Sequence, residues 1–176
     1  MMEFSRAIKS MLTASGLKGV EMRWVSEFEI ERPYQQLLSH DRDMTSTLAD
    51  FHGGEVVLKV IQEYRVADLY MREVILSVGD KPVEYGLIEI HLQNFPEDLQ
   101  ERITGKGEPL GNILNTSGLP YKSAPEMFLS IKGDDFAPDF FPATGGESLF
   151  GRYNQLLNPD DRVLARILEI LPREQS

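Results

Sequence analysis

The chain has 176 residues, 41% of them hydrophobic, with a formal net charge of -10, an estimated pI of about 4.8 and no cysteine. That length suits one domain spanning 1–176, large enough to enclose a core and a ligand pocket without staples. The missing thiols exclude a disulfide framework, a thiolate zinc site and a cysteine nucleophile within these residues. The acidic balance argues against nucleic acid as a partner, because such binding neutralises phosphates with Lys and Arg.

The N-terminal Met1 to Ala7 lacks the unbroken apolar run of a secretory signal, and no window approaches the roughly 18 apolar residues of a membrane span. A cytoplasmic protein without membrane contact is the expectation.

In chain order, residues 3–14 predict an amphipathic helix through Phe4, Ala7, Ile8 and Leu12, ended by Gly16. Glu21 to Ile30 alternates too loosely to assign. Pro33 opens a short helix carrying Tyr34, Leu37 and Leu38, and a second follows at 43–50 with Asp43 as its N-cap. From Glu55 the period becomes two, with Val56, Leu58 and Val60 on one face and Tyr70, Arg72, Val74, Leu76 and Val78 on another. The turn Gly79-Asp80-Lys81-Pro82 predicts that 83–92 pairs antiparallel with this strand. Helix returns after Pro96 through Leu99 and Ile103, and again at 112–115 beyond a glycine-rich turn. Extended segments are expected near 126–132, 150–157 and 162–171, with a long surface loop over 133–147. The pattern is that of an α+β fold: a single antiparallel sheet of about six strands with short helices.

Two charges break the apolar faces. Arg72 sits among Tyr70, Val74, Leu76 and Val78, and Glu169 among Val163, Ala165, Ile167 and Leu171. A buried charge without a partner costs several kcal/mol. Arg72 therefore requires an anion, either a ligand or a protein carboxylate. Two internal partners are open: Glu169, or Glu89, which faces residue 72 if Val78 pairs with Val83.

A series of short motifs lies between Pro33 and Pro172: Leu37-Leu38, Asp43-Met44-Thr45, Tyr70-Met71-Arg72-Glu73-Val74-Ile75-Leu76 leading to Asp80-Lys81-Pro82, Gly86, Gly107-Glu108-Pro109-Leu110-Gly111, Phe150-Gly151-Arg152 and Leu168-Glu169-Ile170-Leu171-Pro172. In this order they resemble the chorismate pyruvate-lyase family, whose fold is shared with effector-binding domains of winged-helix transcription regulators. The stretch 1–32 is then an N-terminal helical extension. The resemblance implies helical flaps over an internal pocket, with Arg72 binding a ring carboxylate and Glu169 facing the far end of the ring. It also implies substrate contacts from the backbone amides of Met44 and Leu110, and from Gly86, with Arg152 as a further positive group. The implied reaction is cofactor-free elimination of pyruvate from chorismate to give 4-hydroxybenzoate; the alternative is a noncatalytic binding protein or regulator for a small aromatic carboxylate.

The chain departs from the family's lyases at Leu87, where they carry arginine, in a terminal motif one residue shorter between Glu169 and Pro172, and in the acidic 133–147 segment. These departures fit a divergent branch. His40, His52 and His91 show no metal-ligand spacing, Asp134, Asp135 and Asp139 no calcium-loop pattern, and 105–111 no dinucleotide fingerprint. No metal is expected. Phe136, Phe140 and Phe141 are candidates to cover a pocket mouth or meet a partner, with loop packing as the alternative.

Overall fold

A computed structural model describes residues 3–136, 139–142 and 144–174. Its centre is a seven-stranded, wholly antiparallel sheet in the order β1-β5-β6-β7-β4-β3-β2. The strands are β1 (Met22–Val25), β2 (Val56–Val66), β3 (Leu69–Val78), β4 (Lys81–His91), β5 (Lys122–Lys132), β6 (Ser148–Leu157) and β7 (Val163–Leu171). The α+β architecture expected from the sequence is the one observed. The strand beyond the six legible ones is β1, whose half-exposed residues pair with β5 at the sheet edge.

Among the described residues, five α-helices flank the sheet: α1 (Arg6–Ala14), α2 (Tyr34–Leu38), α3 (Met44–His52), α4 (Glu97–Thr104) and α5 (Leu110–Ser117). Among the described residues, no helix is long and apolar enough to cross a membrane. Asp43 caps α3 as expected, its Oδ1 accepting from Ser46 N–H at 2.8 Å, and Gly53 ends the helix with φ 68°. α5 is longer than the 112–115 segment read from sequence, starting directly after Pro109 and ending at Gly118 with φ 72°.

The two sheet faces carry different cores. On one, Met71, Ile75, Tyr85, Leu87, Leu168 and Ile170 pack against Ile8, Met11 and Leu12 of α1. Phe136 and Phe141 join that cluster, so these aromatics of the 133–147 segment seal the face behind the sheet rather than cover a pocket mouth. Part of that segment, residues 137, 138 and 143, lies outside the described residues. The other face is covered by α2 and α3 over one end and by α4 and α5 over the other, forming two apolar clusters that meet above β3, β4 and β7.

Register decides which charges share a face. Leu69 to Leu76 pair with His91 to Glu84, which sets Arg72 opposite Ile88. An irregularity between Leu76 and Ser77 pairs Val78 with Lys81 instead of Val83. The expected Arg72–Glu89 juxtaposition therefore fails: Glu89 lies opposite Met71 and points to the α1 face, where Ser5, His91 and Arg166 (2.8 Å) contact its carboxylate. A one-residue change of register exchanges sheet faces, which is why a single bulge alters the charge map.

Candidate functional site

Three rows of side chains cross the sheet under the helices. Arg72, Ile88, Ile167 and Asn154 are successive neighbours across β3, β4, β7 and β6; Val74, Gly86, Glu169 and Arg152 form the next row; Leu76 and Glu84 begin a third. Above them, a small cavity of about 40 Å³ lies at the seam between the two apolar clusters. Its walls include Arg72, Glu84, Glu169, Val74 and Ile88 from the sheet, and Asp43, Met44, Thr45, Pro109, Leu110 and Gly111 from the starts of α3 and α5. The helices abut tightly: a Cβ on Gly111 would stand 2.6 Å from Asp43 Oδ1. Asn115 Nδ2 also donates to Asp43 Oδ2 at 2.9 Å. A helix start leaves backbone N–H groups without intrahelical partners. Met44 and Leu110, the first residues of α3 and α5, both line the cavity.

Arg72 is fully buried and has no ion pair among the described residues. Its Nη1 donates to Ile103 O at 3.3 Å, while Nε and Nη2 are buried without a hydrogen-bond partner. Burial pulls its pKa below the ordinary arginine value, whereas nearby Tyr70 and Glu63 act in the opposite direction. A guanidinium nevertheless stays charged at any physiological pH. Glu63 is itself held at the rim by the Tyr70 hydroxyl at 2.8 Å and Lys106 at 2.6 Å. The unsatisfied edge of Arg72 is thus left for something else, and each such buried donor costs about 1–3 kcal/mol.

Glu169 takes a different partner from either pairing read in the sequence. Arg152 is fully buried, and its Nε donates to Glu169 Oε2. Its remaining nitrogens donate to backbone carbonyls of the α2–α3 connection: Leu38 at 3.1 Å, His40 at 2.9 Å and Arg42 at 3.3 Å. Arg152 is therefore tied to Glu169 and the chain, and is absent from the cavity wall. His40 lies beside it, with Nε2 2.7 Å from Leu37 O, and burial next to Arg152 holds its pKa down. The three histidines remain apart, and no group of three potential metal ligands occurs among the described residues.

Gly86 sits between Val74 and Glu169 in the sheet row beneath the cavity, and an added Cβ would come within 3.0 Å of Val74 Cγ2 and 3.2 Å of Glu84 Oε1. Leu87 points away, buried behind the sheet beside Tyr85 and Leu168. Its replacement of the lyases' arginine thus removes nothing from the cavity side of this protein.

Glu84 was not singled out from the sequence. It is 3% exposed, its Oε2 has no hydrogen-bond partner, and it lines the cavity. Burial first, then the charge of Glu169, push its pKa well above the usual carboxylate range, with Arg152 pulling back and Asp43 adding to the rise. Burial raises Glu169 as well, but Arg152 opposes this through direct contact. Of the two acids, Glu169 has the direct contact with Arg152, whereas no hydrogen-bond partner reaches Glu84 Oε2. The signal was available: Glu84 shares period-two parity with Gly86, Ile88 and Ile90, as Glu169 does with Ile167 and Leu171.

The sequence matches no family model and no curated protein. Solved structures do match. The ligand-binding domain of a putative GntR-family transcriptional regulator from Bordetella bronchiseptica superposes with TM-score 0.50 at 12% identity, over 69% of this chain and 92% of that one. A GntR-family transcriptional regulator from Bacillus cereus gives 0.50 at 16%, over 70% and 95%. PhnF from Mycobacterium smegmatis gives 0.57 at 12%, over 74% of this chain but 63% of its own length. The likeness is one of fold: an antiparallel sheet with helices on it, as in a regulator's ligand-binding domain.

Proposed function

We propose that this chain is a noncatalytic binding protein for a small aromatic carboxylate, which docks its anionic group on Arg72. The single observation carrying this reading is the buried guanidinium with two nitrogens unsatisfied in a cavity wall. A carboxylate accepts two parallel N–H bonds from such an edge, and charge-assisted bonds in a dry site are the strong ones. The free amides at Met44 and Leu110 add donors. The fold likeness to ligand-binding domains supports a holding role. A protein of this kind acts in the cytoplasm and requires neither metal nor cofactor.

The cavity of about 40 Å³ has room for water and not for a ring, being far smaller than the roughly 150 Å³ of a cavity known to hold benzene. Binding therefore entails parting of α3 and α5, the helices that close over Arg72. Their contact is polar, through Asp43, Asn115 and Ser46, rather than a packed apolar seam.

A second reading rests on the carboxyl pair. Glu169 and Glu84 line the cavity together; burial raises the pKa of both and direct contact with Arg152 opposes the rise at Glu169, and two acids whose surroundings push them apart are a recurrent arrangement for acid–base chemistry. On this reading the chain eliminates pyruvate from chorismate to leave 4-hydroxybenzoate, with Arg72 anchoring the ring carboxylate and Glu169 acting at the far end. Positioning contributes about 7–11 kcal/mol to such reactions in favourable cases. The engagement of Glu169 by Arg152 favours the binding role.

One experiment separates the two. Purified protein is incubated with chorismate, pyruvate is measured, and thermal stabilisation by benzoate and the hydroxybenzoates is recorded in parallel. The binding reading predicts stabilisation without pyruvate. Catalytic pyruvate release abolished by Arg72→Ala would instead establish the lyase, and neither response from folded protein would remove both readings.

A further inference from the structure

We infer that Glu84 is the specificity-determining group of the cavity, selecting a carboxylate ligand whose far end carries a neutral hydrogen-bonding oxygen, such as a hydroxyl, over one carrying an ammonium or a second anion. The inference rests on the carboxylate-binding reading above and defines the other end of the ligand.

The register sets the scale. Glu84 lies opposite Leu76, four residues along β3 from Arg72, so the two rows stand about 13 Å apart at the backbone. Two long side chains shorten that span to a single ring with substituents. Between them lies the row of Val74 and Gly86, where a side chain at 86 would press on Val74 and Glu84, both of which line the cavity.

The groups around Glu84 select the chemistry. Glu169 on β7 and Asp43 at the start of α3 bring negative charge, while Arg152 on β6 brings positive charge already committed to Glu169 and three carbonyls. A second anion at this end would meet Glu169 and Asp43, and the one cation beside Glu84 among the described residues, Arg152, is already engaged. An ammonium would have to shed its hydration in a buried site where Glu169 is already neutralised by Arg152. A hydroxyl meets neither obstacle, because an uncharged carboxyl both donates and accepts, and it would satisfy the orphaned Oε2. Sites built to hydrogen-bond a ligand group reject analogues lacking it, since the buried partner is then left unpaired.

The test is calorimetric titration of the full chain with benzoate, 3-hydroxybenzoate, 4-hydroxybenzoate and 4-(aminomethyl)benzoate. The better hydroxybenzoate is expected to bind about tenfold or more tighter than benzoate, and the aminomethyl compound no better than benzoate. Glu84→Gln, which still donates and accepts, should keep most of the preference, whereas Glu84→Leu should reduce it to less than about threefold. Rising pH should erode the preference in wild type but not in Glu84→Gln. Equal binding of benzoate and both hydroxybenzoates, tightest binding of the aminomethyl compound, or an undiminished preference in Glu84→Leu would overturn the inference while leaving Arg72 as a carboxylate site. Failure of every compound to bind would overturn both.

Discussion

Arg152 stands directly opposite Glu169 in the β6–β7 ladder, and its guanidinium closes on that carboxylate. The second buried arginine, Arg72, has no ion pair among the described residues, and its Nε and Nη2 have no hydrogen-bond partner. One arginine holds the fold together around an acid, and the other is available to a ligand. Each prediction below depends on that division.

Arg152→Ala should be strongly destabilising, by about 3–5 kcal/mol, because it strands Glu169 in the core and frees three carbonyls of the α2–α3 connection. The urea midpoint measures this. The double variant Arg152→Met with Glu169→Leu should recover much of the loss, since replacing both members of a buried pair is far cheaper than removing one. A single variant within about 1 kcal/mol of wild type would contradict the structural role.

Arg72→Met should behave in the opposite way in ligand-free protein. It removes a buried cation whose two orphaned nitrogens cost about 1–3 kcal/mol each, so stability should stay within about 1 kcal/mol of wild type or rise. A loss as large as that of Arg152→Ala, read by the same urea unfolding, would make Arg72 a structural residue.

Glu84 should leave a mark on the pH dependence of stability. Its folded-state pKa lies well above its ordinary value of 4.5, so between the two values the folded chain retains a proton that the unfolded chain releases. The stabilising contribution of that proton is complete below the unfolded value and is lost as pH rises through the folded one. Unfolding free energy should therefore fall with rising pH across this window. Glu84→Gln should flatten part of the slope, with Glu169 supplying the remainder. An unchanged slope in Glu84→Gln would show that Glu84 does not hold the proton.

Gly86→Ala should displace two residues of the cavity lining, Val74 and Glu84. Its Cβ would press on Val74 Cγ2 and Glu84 Oε1 at 3.0 and 3.2 Å. A cost of about 1–3 kcal/mol in thermal unfolding is expected, together with weaker binding of any ring lying over β3 and β4. Wild-type affinity in this variant would place the ligand elsewhere.

The sheet and the two anomalous charges were legible because alternation is a strict rule on a strand with a buried face: Arg72 and Glu169 each broke an apolar stripe. The partners were not legible. The irregularity between Leu76 and Ser77 shifts β3 against β4 by one residue, moving Glu89 behind the sheet and excluding it from Arg72. Which arginine holds Glu169 depends on the β6–β7 register, a pairing that no local pattern specifies. Glu84 followed the same parity rule as Glu169, yet it sits close to the turn, where a charged residue reads as solvated. The aromatic residues Phe136 and Phe141 looked like a loop surface because their burial depends on the distant helix α1 and strand β4.

The most direct test of the central claim is calorimetric titration of 4-hydroxybenzoate into wild type and into Arg72→Met, with both shown to be folded. Saturable one-to-one binding to wild type that disappears in Arg72→Met is the predicted result. Folded wild type that binds neither this compound nor benzoate, or an Arg72→Met variant that binds as tightly as wild type, would contradict the assignment of Arg72 as the anion site.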